Sequence, residues 1–228
     1  RLLSAEELAE RGRHEIRHLM AARRAAAERR FAQQLADGGI PERMRSKGFA
    51  DYQVIVPAQV RALSACRHYV QRFDASDQPG AALLLLGKSG TGKTHLACAT
   101  LIAVMRAGHS GRFSSVSAAL RLLRDAGGHR TRCSEGEAFA LLSEPDLLVL
   151  DDLGGTLDDK QRALLFEVLD TRYANRRATI VTASLSAEAL ARVLGERSMY
   201  RLGAGDATVI ECTWQGYRRG CAGLLGEG

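Results

Sequence analysis

Paired cysteines are missing from this chain. Its five cysteines, Cys66, Cys98, Cys133, Cys212 and Cys221, never stand two residues apart in a CxxC pair. That excludes the usual zinc-cluster spacing, and scattered thiols in odd number fit a reducing, cytoplasmic setting better than a disulfide framework. Long hydrophobic runs are missing too. The longest, Ala81–Leu86, is strand-sized and far short of the roughly 20 apolar residues that cross a bilayer, so no membrane partner is expected. There is no internal repeat, no long low-complexity tract and no secretory signal. The chain opens on Arg1 rather than Met, which leaves the completeness of its N-terminus open.

What is present describes a globular protein with a basic surface. At 228 residues the chain can hold one full α/β domain and a smaller appendage. Apolar residues at 46% and charged residues at 25% exclude wholesale disorder. The net charge is +6, carried almost entirely by arginine. A basic excess favours a polyanionic partner, although a solvated arginine- and glutamate-rich surface has the same composition.

Residues 1–37 read as one helix. Leu8, Ile16, Leu19, Met20, Ala27, Phe31 and Leu35 recur near a 3.6-residue period, opposite a face rich in Arg and Glu, and Gly38-Gly39-Ile40-Pro41 ends the pattern. One apolar stripe cannot be buried by the helix alone; packing on its own domain is the expectation, and packing on another protein the alternative. Residues 40–57 look irregular, a helix follows over Ala58–Phe73, and Asp74–Gly80 is rich in turn formers. From residue 81 onward strands and helices alternate. Strands are expected at Ala82–Leu86, Arg112–Val116, Leu147–Asp151, Thr179–Ala183 and Thr208–Cys212, and helices at about Lys93–Ala107, Ala118–Asp125, Glu137–Leu142, Asp159–Asn175 and Ala187–Leu194. Short, continuously apolar strands separated by helices predict a parallel sheet buried on both faces, whose ligand lies at the carboxyl ends of the strands. The expected organisation is an N-terminal helical region over 1–37, a linker and pre-core helix over 38–80, a core over 81–219 and a tail over 220–228.

Gly87-Lys88-Ser89-Gly90-Thr91-Gly92-Lys93-Thr94 matches GxxxxGK[ST] between an apolar strand and a helix, the context that this motif requires. Gly87, Gly90 and Gly92 let the backbone curl around an anion with its N–H groups inward, at the positive end of a helix. Lys93 is expected to neutralise the β- and γ-phosphates of ATP, and the Thr94 hydroxyl to bind Mg2+. Leu147-Leu148-Val149-Leu150-Asp151-Asp152 supplies the second half. Asp151 ends a buried strand, placed to hold the magnesium shell, and Asp152 is the candidate to orient the attacking water.

These motifs accumulate into a resemblance. Gly90-Thr91-Gly92-Lys93-Thr94-His95-Leu96-Ala97 resembles the corresponding stretch of DnaC-type helicase loaders and the related IstB transposition ATPases. Gly195-Glu196-Arg197-Ser198-Met199-Tyr200-Arg201-Leu202 resembles their GERxxxRL box, and Trp214-Gln215-Gly216-Tyr217-Arg218 their closing strand and tail. The helix segment Cys66–Asp74 is similar as well, so the likeness spans roughly residues 39–219.

The resemblance implies a P-loop AAA+ three-layer α/β sandwich with a central parallel sheet of about five strands, preceded by an N-terminal helical region. It implies that Arg201, with Arg197 a second candidate, reaches the γ-phosphate of a neighbouring subunit, so that hydrolysis depends on self-assembly, while the shorter side chain of Asp152 is expected to make it slow. It places Arg218 at the second sensor and Ser184 where the family usually has Asn, and it adds His95 to the nucleotide-binding stretch. Asp152 stands where the wider class has Glu. Single-stranded DNA would meet Arg121, Arg124, Arg130 and Arg132, and the N-terminal helix would grip a replicative ring helicase. Three other functions stay open: an IstB-like helper of a transposase, a nucleotide-locked adaptor with little turnover, and a small-molecule kinase, for which no acceptor site is evident.

Overall fold

The apolar segments after residue 81 form five strands, β1 (Leu83–Gly87), β2 (Gly111–Ser115), β3 (Leu147–Leu153), β4 (Ala178–Ala183) and β5 (Thr208–Cys212). They lie in one parallel sheet of order β2-β3-β4-β1-β5. The computed structural model describes residues 5–73, 80–126, 133–203 and 207–216, with side chains from residue 14. Its helices are α1 (Ala5–Asp37), α2 (Glu42–Arg45), α3 (Pro57–Phe73), α4 (Lys93–Arg106), α5 (Val116–Asp125), α6 (Glu135–Ser143), α7 (Asp159–Ala174), α8 (Ala187–Leu194) and α9 (Glu196–Gly203), with a 3-10 turn at Phe49–Asp51.

Strand alternation divides the apolar runs between two cores. Leu83, Leu85, Leu147, Val149, Ile180 and Ile210 face α3 and α4. Leu84, Leu86, Leu148, Leu150 and Val181 face the residues of α5, α7, α8 and α9. Side chains of period 2 on a strand covered on both faces require this split, and the result is the expected three-layer sandwich. Among the described residues, four helices begin on a polar cap whose side chain accepts the backbone N–H three residues on: Ser115, Ser134, Asp158 and Ser186. Among the described residues no helix is long and apolar enough to cross a membrane. Cys66, Cys98 and Cys212 are buried free thiols, pushed up by burial to about 12, 12 and 11.

The structure departs from the sequence expectations in three places. Residues 40–57 are not irregular throughout: they hold α2 and the 3-10 turn, in which the Asp51 carboxylate accepts the Gly48 N–H at 2.8 Å. Such one-turn elements are too short to show a hydrophobic period. The GERxxxRL segment is a helix of its own, α9, behind α8. The third departure concerns α1, which does not bury its stripe on its own domain. Ile16, Leu19 and Met20 are 58%, 58% and 63% exposed, whereas Phe31 and Leu35 in the last turns pack into the core. The chain then crosses the edge of the sheet at Gly38 and Gly39, where the Phe113 N–H donates to the Gly38 carbonyl at 2.7 Å. Gly39 has φ +77°, and a Cβ there would lie 2.6 Å from the Phe113 carbonyl oxygen, so glycine is required on both counts.

Candidate functional site

β1 sits where the strand order turns back on itself. The chain leaves it for β2, β3 and β4 on one side and returns to β5 on the other. The carboxyl end of such a strand is where open α/β sheets bind ligands. There the backbone passes through Gly87 (φ +118°), Gly90 (φ +77°) and Gly92 (φ +92°) before α4 begins at Lys93. A Cβ at Gly87 would stand 2.5 Å from the Cys212 carbonyl oxygen, so the loop starts where β1 and β5 leave no room for a side chain. Lys88 and Ser89 are exposed at the tip of the loop, and Thr91 is buried. The Gly87 N–H donates to the Leu185 carbonyl at 3.1 Å, which brings the segment containing the exposed Ser184 to the base of the loop.

Lys93 turns its ammonium back across the loop, donating to the Gly87 and Lys88 carbonyls at 2.7 Å each. Burial lowers its pKa, while Cys212, Asp152 and Asp151 act in the opposite sense. The Thr94 hydroxyl donates to Asp151 Oδ1 at 2.9 Å, with Oδ2 at 3.2 Å. Burial raises the pKa of Asp151 despite the hydroxyls of Thr182 and Thr94; Asp152 pushes it further up and Lys93 down. A hydroxyl and a carboxylate in direct contact are the hard oxygen donors that Mg2+ takes, together with phosphate oxygens and water. A cation here would also relieve the cost of the buried carboxylate charge. The residues present therefore fit magnesium, although no three His, Cys, Asp or Glu side chains cluster as a metal cage among the described residues.

Thr182 adds to the candidate site a residue that motif spacing does not mark, two positions before the expected Ser184. Its buried hydroxyl donates to Asp151 Oδ1 at 2.6 Å and accepts the Asp152 N–H at 2.9 Å. Asp152 has φ +58° and is exposed, and the β3–β4 register shifts between Leu150 and Leu153. One side chain thus fixes both acids, the first through its carboxylate and the second through its backbone. The signal available in the sequence is a polar residue inside the buried run Ala178–Ala183, on the strand paired with β3.

The remaining expected residues lie elsewhere or face other partners. His95 points Nε2 at the Gly48 carbonyl, 3.0 Å away, and meets the Tyr52 ring edge-on. Arg197 and Arg201 lie on α9 against α7. Arg201 Nε donates to Asp170 Oδ1 at 2.5 Å, and its guanidinium lies 5.0 and 5.4 Å from the rings of Tyr173 and Tyr200. Arg197 stacks 4.3 Å over Phe166. Arg121 and Arg124 are exposed on α5, with Arg124 paired to Asp125 at 3.0 Å. Arg130, Arg132 and Arg218 lie outside the described residues.

The sequence model of a family described as "IstB-like ATP binding protein" matches residues 4–202. The chain is 30% identical over 181 residues to the replicative helicase loader DnaC of Escherichia coli (strain K12), covering 79% of this chain and 72% of that one. It is 32% identical over 201 residues to a putative insertion sequence ATP-binding protein of Sinorhizobium fredii, covering 85% of this chain and 63% of that one. The crystal structure of the DnaC helicase loader superposes with a TM-score of 0.66 at 29% identity, covering 75% of this chain and 99% of that one.

Proposed function

The chain belongs to the IstB-like ATP-binding protein family, and on that premise we propose that it is an ATP-dependent helicase loader of the cytoplasm. In this reading it assembles on single-stranded DNA when ATP is bound, delivers a replicative ring helicase, and releases it on hydrolysis. The observation that carries the proposal is the junction of Lys93, Thr94 and Asp151 at the end of β1, in a chain similar to DnaC over most of its length.

Each role follows from chemistry at a named atom. The amides of the Gly87–Thr94 loop bind the phosphate oxygens. Lys93 exchanges its two carbonyl partners for the β- and γ-phosphates, a trade of neutral acceptors for charged ones. Thr94 and Asp151 hold magnesium, which when bound neutralises charge on the phosphates. Asp152 accepts a hydrogen bond from the attacking water and aligns it. Arg201, with Arg197 beside it, serves the γ-phosphate of an adjacent copy and stabilises the charge of the transition state. To do so it must leave Asp170. Ser184 and Arg218 complete the nucleotide contacts. Arg121 and Arg124, with Arg130 and Arg132, contact the DNA backbone. The exposed Ile16, Leu19 and Met20 of α1 offer the helicase an apolar stripe, a helix-in-groove mode of docking.

The test is nucleotide binding by the Lys93→Ala variant, paired with recovery of partners from the source cell with and without ATP. Loss of saturable ATP binding in the variant, and a ring helicase recovered by the parent chain, support the reading. Undiminished ATP affinity in Lys93→Ala refutes the site. The insertion-sequence relative favours a second reading, a helper ATPase for a transposase, and recovery of a transposase in place of a helicase decides for it. A third reading, an adaptor that nucleotide merely locks in shape, predicts tight ATP binding with turnover at background.

A further inference from the structure

The carbonyl of Thr91, within the phosphate loop, is gripped from two directions. The Tyr52 hydroxyl donates to it at 3.2 Å from the segment that precedes the core. The Trp214 indole Nε1–H donates to it at 2.9 Å from the segment that follows β5. All three residues are buried. Both flanking segments touch this region a second time. Gly48, three residues before Asp51, meets His95 on the first turn of α4. A Cβ at Gly216 would lie 2.9 Å from the Ser89 carbonyl oxygen, so residues 214–216 run directly along the loop backbone.

A trans peptide is planar, and its C=O and N–H point in opposite directions. Fixing the Thr91 carbonyl toward Tyr52 and Trp214 therefore fixes the Gly92 N–H away from them. Gly92 has φ +92°, so the peptide could rotate at little steric cost were it not held. We propose that Tyr52 and Trp214 are positioning residues of the phosphate loop. They lock the Thr91–Gly92 peptide plane so that the Gly92 N–H faces the bound anion, and any shift of that peptide on nucleotide binding is felt by the two segments that hold it. The proposal rests on the nucleotide-binding reading above.

The chain contains one tryptophan, so Trp214 emission reports the state of this hydrogen bond without labelling. ATP affinity is measured by equilibrium dialysis for the parent chain, Tyr52→Phe, Trp214→Phe and Gly216→Ala, and Trp214 emission is followed in every chain that retains it. Tyr52→Phe keeps the ring and removes the donor. Gly216→Ala removes no core contact and presses on the loop from outside, which guards against a Trp214 variant that fails to fold. Tyr52→Phe and Trp214→Phe are each expected to bind ATP ~2- to 10-fold more weakly, the effect of one lost hydrogen bond, with the nucleotide-free thermal midpoint of Tyr52→Phe little changed. Gly216→Ala, whose Cβ would press on the Ser89 carbonyl oxygen, is expected to weaken ATP binding by shifting the loop. Parent emission is expected to change saturably with ATP, with a midpoint that matches dialysis. An ATP affinity within twofold of the parent in Tyr52→Phe overturns the proposal and leaves the nucleotide site standing. Failure of the parent to bind ATP at all overturns both.

Discussion

Arg172 offers the sharpest test of how this fold is held. Its side chain is 1% exposed on α7. Nη1 donates to the carbonyls of Leu142, Ser143 and Pro145 at 3.0, 3.1 and 2.9 Å. Nε donates to the Thr179 hydroxyl at 3.0 Å, and Nη2 reaches the carbonyls of Asp146 and, more closely, Ala178. Burial pushes its pKa down to about 9, so it is still cationic at neutral pH. One guanidinium thus ties the end of α6 to the starts of β3 and β4, at the pole of the sheet opposite the phosphate loop. In Arg172→Leu these acceptors lose a donor in a dry setting, at about 1–3 kcal/mol for each that stays unsatisfied. Relief of the buried charge offsets part of that loss. With two or three carbonyls left unpaired, the net destabilisation is about 3–5 kcal/mol, a large share of the roughly 5–15 kcal/mol that holds a domain folded. Arg172→Lys has three donors on one nitrogen instead of a five-donor fork, and falls between. Urea unfolding followed by circular dichroism measures all three chains, with equal slopes required for comparison. A loss below about 1 kcal/mol in Arg172→Leu would mean that desolvation cancels the hydrogen bonds, and the reasoning would be wrong.

Three further outcomes are expected. Thr182→Val removes the hydroxyl shared by the two acids and should lower turnover by ~10- to 100-fold, as for a hydrogen bond to a charged group; Thr182→Ser should restore it, and wild-type turnover in the valine variant would leave Thr182 without a role. Asp170→Asn releases Arg201, whose side chain is 27% exposed beside a 43% exposed partner. Turnover that rises with protein concentration should be higher in this variant and absent in Arg201→Ala, whereas turnover per chain that is independent of concentration in the parent and both variants counts against action between subunits. Asp146 contributes to the acid limb of stability. Burial pushes its carboxyl up, but the Ser110 hydroxyl and N–H, with Arg177 and His109 beside it, outweigh burial and hold it low. Its contribution is complete above the unfolded value of about 3.9 and is lost as pH falls through the lower folded value. Urea midpoints should therefore fall less steeply on acidification in Asp146→Asn than in the parent, and parallel curves would contradict the assignment.

Periodicity explains why the core is legible in the sequence. A strand such as Leu83–Gly87 must be apolar at nearly every position once helices cover both faces, and the runs that become β1, β3 and β4 stand out along the chain for that reason. Their order is less visible. Placing β1 between β4 and β5 depends on which crossover passes which strand, and local sequence does not encode that. The stripe on α1 shows the opposite limit. Its spacing announces a helix with one apolar face, but spacing alone does not say what covers that face, and Ile16, Leu19 and Met20 stand open while Phe31 and Leu35 are packed.

The candidate site divides in the same way. The glycine loop, Lys93, Thr94 and Asp151 are visible because their residue types recur at fixed spacing beside a strand and a helix. The contacts of Thr182, Tyr52 and Trp214 are not, although Trp214 belongs to a recognisable motif, because each side chain hydrogen-bonds residues at least 30 positions away in sequence. Such contacts have no period and no required neighbour. Their placement still follows a rule. Thr182 and Asp151 lie near the carboxyl ends of adjacent parallel strands, and Trp214 stands two residues past Cys212, which pairs with Gly87. Parallel pairing brings the ends of strands distant in sequence to one edge, so the polar residues at those ends meet whatever separates them along the chain. The Gly87–Thr94 loop is therefore shaped by more than its own motif: Tyr52 and Trp214, from segments on either side of the core strands, hydrogen-bond its backbone, and Thr182 on β4 bonds both acids of β3 beside it.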